Sequence, residues 1–98
     1  MLDTLLILNF DPALEEDLVD YLHELECVPG FTTYPVRGHG QHGSKLSLAE
    51  QVTGRRKRMQ TEIIIEAGNV DTVLQDLGSR VGRDITWWTV PVSRHGRA

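Results

Sequence analysis

Two short apolar runs set the strongest limit on what this chain can fold into. Thr4 to Phe10 is a short continuous apolar run that reads as a central strand buried on both faces, and Met59 to Glu66 reads as a second strong strand. Each is followed by a turn and then by apolar residues at helical spacing. After the first run Asp11-Pro12 supplies an N-cap and a first helical residue. Leu14, Leu18, Tyr21, Leu22 and Leu25 then form one stripe. After the second, Ala67-Gly68-Asn69 turns the chain, and Val70, Val73, Leu74, Leu77 and Val81 form another. Phe31 to Arg37 and Asp84 to Val92 supply two further strands. Pro35 removes a ladder donor and places the former at a sheet edge.

The order is β-α-β-β-α-β in one domain of 98 residues. That order predicts an α+β, ferredoxin-like fold: a four-stranded antiparallel sheet with two helices on one face. Glu15, Glu16 and Asp17 favour the positive end of the first helix dipole, and Pro29-Gly30 is expected to end that helix. Gly78 or Gly82 is expected to end the second. The other sheet face is left open, which predicts a homo-oligomer with sheets packed together. Trp87 and Trp88 are adjacent in a strand and point to opposite faces, one expected in the core and one at the interface.

Charge is unevenly spread. The net charge is −4, which argues against bulk nucleic-acid binding. Asp3 to Glu26 holds eight acids and no Lys or Arg, whereas Arg37 to Arg58 holds six basic residues and one acid, Glu50. This second stretch lies between two strands, and a connection of that length, about 38–58, is expected to be a mobile binding loop. Ser47 to Glu50 is a capping-box pattern and predicts a helical turn over 48–52.

Gly38-His39-Gly40-Gln41-His42-Gly43 matches G-x-G-x-x-G by letter, but no full helix opens at Gly43 and the unit is not a βαβ turn. Gly43-Ser44-Lys45 has the Walker residues in the wrong order. What remains is a cluster of glycines whose backbone N–H groups can converge on an anion, with Arg37 and Lys45 beside it; the bland alternative is a flexible loop base. His39 and His42 are candidate ligands for a divalent metal, set against solvated loop histidines, since their spacing matches no tetrahedral set. Lys45, Arg55, Arg56, Lys57 and Arg58 are candidate contacts for a protein partner, set against a solvated run that blocks edge pairing. Cys27 is the one cysteine, so no intramolecular disulfide can form. No nucleophile–base set is evident, so no catalysis is expected. No signal peptide or membrane-spanning run is evident, and a cytoplasmic protein is expected.

Three stretches resemble the PII-like signalling proteins. Val36 to Gly43 is similar to the base of the PII T-loop, where V-K-G-x-G leaves the second strand. Gln60 to Glu66 resembles the following strand, and Pro91 to Arg97 resembles the P-V-E-R end of the last strand. The chain looks nearest to a little-characterised PII-like branch found with heavy-metal efflux systems, and the divalent-cation-tolerance trimers share the architecture. The resemblance implies a homotrimer with sheets facing inward and a ligand, such as an adenine nucleotide, in clefts between subunits. It also implies a T-loop that regulates a membrane transporter or its regulator. By position, Gly38, Gly40 and Gln41 would line the cleft, and Arg97 would contact phosphate from the tail. The family's phosphate loop is reduced here to Gly82-Arg83-Asp84, where Arg83 takes the place of its lysine. A metal-tolerance role and a small ferredoxin-like enzyme are the alternative readings.

Overall fold

A computed structural model describes residues 2–40 and 56–98. The elements run β1 (Asp3–Phe10), a 3-10 turn (Pro12–Leu14), α1 (Glu15–Glu24), β2 (Thr32–Gly38) and β3 (Arg56–Glu66). A 3-10 turn (Ala67–Asn69), α2 (Val70–Gln75), α3 (Leu77–Arg80) and β4 (Thr86–Val92) complete them. The strands form one antiparallel sheet in the order β2-β3-β1-β4. This is the expected α+β, ferredoxin-like arrangement, with the two apolar runs central and the proline-bearing strand at an edge. The connection between β2 and β3 spans 39–55. The helical turn expected over 48–52 lies outside the described residues.

The register separates the two sheet faces. Leu6 pairs with Ile63, Leu8 with Thr61 and Thr4 with Ile65. These residues alternate onto the inward face, where they pack with Leu18, Tyr21, Leu22, Val73, Leu77 and Val81 in one buried cluster. The Tyr21 hydroxyl donates to the Val73 carbonyl at 2.7 Å and joins α1 to α2 inside this layer. Burial raises its pKa above the ordinary tyrosine value.

Local chemistry explains the helix ends. Asp11 Oδ1 accepts from the Ala13 N–H at 2.9 Å, which caps the turn into α1. The helix then stops at Glu24, well before Pro29-Gly30, because Leu25 leaves helical geometry (ψ 115°) while its N–H bonds to Leu22. The second expected helix is divided at Asp76, yet Val73, Leu77 and Val81 keep their common buried side. Gly82 closes it with an N–H bond to the Leu77 carbonyl. A Cβ at Gly82 would lie 2.9 Å from Leu14 Cδ2, so the close approach to the first turn requires glycine.

The two tryptophans depart from expectation. Both are partly exposed, Trp87 at 49% and Trp88 at 39%. Trp87 stands on the helix-bearing face, but β4 is an edge strand and the short α2–α3 pair leaves the ring half uncovered. On the outward face, Trp88 and Val90 stand beside Ile7 and Leu5, their register partners on β1.

Candidate functional site

At the start of β3 the sequence places three consecutive basic residues, and the structure treats them differently. Lys57 is exposed, opposite the equally exposed Arg37 of β2. Arg56 donates from Nη2 to Asp84 Oδ2 at 2.9 Å. Arg58, expected at the surface with its neighbours, is instead only 5% exposed. Its parity on β3 points it at the outward side of β1, where the chain supplies Asn9. Arg58 donates from Nε to Asn9 Oδ1 at 2.7 Å, and from Nη2 to the Asn9 carbonyl at 2.9 Å and the Asp84 carbonyl at 3.0 Å. Its Nη1 has no hydrogen bond and lies 3.7 Å from Asp84 Oδ2. Burial lowers the pKa of Arg58, Arg56 lowers it further, and Asp84 and Asp11 oppose the shift.

Asp84 therefore meets two arginines across the gap between β3 and the turn before β4. It does so with φ at 64°, a left-handed conformation that aspartate tolerates better than most residues. Gly38 belongs to the same clasp. It is the register partner of Arg56, and a Cβ on it would lie 3.3 Å from Arg58 Cγ. The clasp thus ties both ends of the 39–55 connection to the Gly82-Arg83-Asp84 turn.

A hydrogen-bond chain leads away from the clasp along the outward face. Arg58 donates to Asn9, and Asn9 Nδ2 donates to Gln60 Oε1 at 3.1 Å. Gln60 Nε2 donates to the Tyr34 hydroxyl at 2.8 Å, which donates to Glu62 Oε1 at 2.9 Å. All four donors run in one direction, from a guanidinium to a carboxylate, so each bond polarises the next. Tyr34 has a raised pKa, from desolvation and from its bond to Glu62.

The expected site residues fall into three groups. Gly38, Arg56 and Arg58 come together at the clasp. Arg83 follows Gly82 in the turn but lines a pocket with Leu74, Leu77 and Trp87. Arg37 pairs with Lys57, with its side chain on the opposite sheet face, and His39 and Gly40 follow β2 and are exposed. Arg97 is elsewhere: with His95 it lines a cleft of about 630 Å³ over the outward face, together with Leu5, Phe31, Glu62 and Ile64. Gln41, His42, Gly43, Lys45 and Arg55 lie outside the described residues. Among the described residues no group of three or more His, Cys, Asp or Glu side chains could hold a metal ion, and no helix is long and apolar enough to cross a membrane. Asn9, Tyr34, Gln60 and Glu62 were not expected in a site. The available signals were a polar residue inside an apolar run, Leu8-Asn9-Phe10, and the alternation Gln60, Glu62 on β3.

The model of one family, described as a protein of unknown function (DUF3240), matches residues 2–98. The chain belongs to the DUF3240 family. The match takes in the 39–55 connection and the C-terminal segment, so both lie within the DUF3240 domain. The crystal structure of a DUF3240 family protein from Shewanella baltica OS155 superposes with a TM-score of 0.80 at 24% identity. The alignment covers 98% of this chain and 96% of that one, so the fold is shared nearly end to end. No curated protein matches the chain.

Proposed function

We propose that this DUF3240 protein is a cytoplasmic, PII-like regulatory module without catalytic activity. In this reading it is a homotrimer that binds a small ligand at the base of its 39–55 connection. An adenine nucleotide is the ligand the PII likeness favours, with a simple anion or a divalent metal as the other candidates. Occupancy would change how the connection meets a protein partner, such as a membrane transporter.

The observation that supports this most is the clasp. Gly38 is the register partner of Arg56, and the Arg56–Asp84 bond ties that end of the sheet to the Gly82-Arg83-Asp84 turn. Arg83, in the adjoining turn, would supply a surface cation to an anion there, and Gly38 and Gly40 would supply backbone close to it. Arg58 is committed to Asn9 and Asp84, so its role in this reading is to hold the base rigid. Any contact from Arg97 would have to come from a neighbouring copy's tail. The likeness to PII proteins itself rests on the three sequence motifs and on the order of elements.

A thermal-shift series with ATP, ADP, AMP and divalent metals tests the reading. At a tenfold excess over Kd, one nucleotide should raise the midpoint by about 5 °C or more. Arg83→Ala should reduce that rise, whereas replacing His39 and His42 with alanine should leave it intact. A rise with metals alone, lost in the double histidine variant, would favour the metal-tolerance alternative.

A further inference from the structure

We propose that the cleft between the outward sheet face and the C-terminal segment binds a small apolar zwitterion, of the class that includes free leucine and phenylalanine. The site is separate from the clasp and does not depend on nucleotide binding, but it lies on the outward sheet face and so rests on that face staying open in the proposed trimer. After β4 the chain turns back over the sheet, so that His95 and Arg97 face residues of β1, β2 and β3 across a cleft of about 630 Å³. That volume is in the range of small-molecule sites. Its floor is apolar: Leu5 and Ile64 are register partners on adjacent central strands, and Phe31 closes one side.

The polar groups are what select the ligand. Glu62 is the last acceptor of the chain that starts at Arg58, and Tyr34 holds its Oε1 at 2.9 Å. Its second oxygen has no hydrogen bond from a described residue. Arg97 and His95 line the same cleft, yet neither is ion-paired with Glu62 within 4.0 Å. A carboxylate and a guanidinium thus share one cleft without meeting. A ligand with a single charge would engage only one of the two groups and leave the other to water. A molecule with an ammonium for Glu62, a carboxylate for Arg97 and an apolar side chain for Leu5, Ile64 and Phe31 satisfies all three. Because Glu62 is fixed through Tyr34 and Gln60, the ammonium position is set before the ligand arrives.

Calorimetric titration of the full chain with leucine and phenylalanine tests this. Isocaproate, which lacks the amine of leucine, and isoamylamine, which lacks its carboxylate, serve as comparisons. At least one of the two amino acids should saturate the protein. The two single-charge analogues should bind at least about tenfold more weakly than leucine or not at all. Glu62→Gln should remove the preference for leucine over isocaproate, and Arg97→Gln the preference over isoamylamine. Arg97 has no bonded partner among the described residues, so its variant should fold and can carry the test alone if Glu62→Gln does not. No heat from either amino acid, or variants with unchanged affinities, would overturn the proposal. So would light scattering in which Arg97→Gln lowers the mass, since a second copy would then be what fills the cleft.

Discussion

At the start of β3 two arginines on the outward side of the sheet are tied down, Arg58 to Asn9 and Asp84 and Arg56 to Asp84. On β4 two tryptophans and Val90 are left partly outside. Charge is inside where apolar surface is expected, and apolar surface is outside where charge is expected. The first region is self-contained: except for Arg58 Nη1, every donor of its clasp named above finds an oxygen within the chain. The second is unfinished in a single chain, because an edge strand with exposed aromatic side chains offers surface that another molecule can cover. The chain from Arg58 to Glu62 runs from the clasp through β1, β3 and β2, toward the sheet edge opposite β4.

The largest effect should come from breaking the clasp. Arg58→Ala would strand the Asn9 side chain and two carbonyls and remove a buried cation from beside Asp84. It should cost about 3 kcal/mol in urea unfolding. A loss under about 1 kcal/mol would mean that Arg58 is surface charge after all. Gly82→Ala should follow, at about 2 kcal/mol, because φ is 157° there and the added Cβ would also press on the Leu14 side chain. Tyr34→Phe, which cuts the chain midway and leaves Gln60 without its acceptor, should cost about 1 kcal/mol.

The open face should behave in the opposite way. Val90 is 44% exposed, so Val90→Asp should change the unfolding free energy of one chain by about 1 kcal/mol or less. If copies pack on this face, the same change should lower the mass in solution. A large stability loss with no change of mass would erase the contrast between the two regions.

Much of the fold was legible because its signals are local and periodic. Thr4 to Phe10 read as a central strand and Met59 to Glu66 as a second strong strand, and Pro35 marked the edge. Asp11-Pro12 marked the first helical turn. What was not legible depended on partners remote in sequence. The Arg55 to Arg58 run reads as a solvated patch until β1 places Asn9 under Arg58 and the pre-β4 turn places Asp84 beside it. One of Trp87 and Trp88 reads as core until the short α2 and α3 leave Trp87, on their side of the sheet, half uncovered. Of the candidate site, Gly38 and Arg83 were legible as separate glycine-rich signals. The approach of the Gly82-Arg83-Asp84 turn to the start of β3 was not, because one salt bridge, Arg56 to Asp84, creates it.

Alkaline pH offers a smaller probe of the core. The folded-state pKa of Tyr21 is raised, so its contribution is fully present below the unfolded value near 10.0 and is lost as pH rises through the higher folded value. Tyr34 acts in the same direction. Unfolding free energy should therefore fall above about pH 10, and Tyr21→Phe should flatten part of that fall.

Native mass spectrometry of the protein titrated with ATP tests the central claim most directly, because it reads assembly and ligand together. The account predicts a species of three 11.0 kDa chains that gains nucleotide as ATP is added and gains less in Arg83→Ala. A single chain that takes up no nucleotide at any concentration would contradict it.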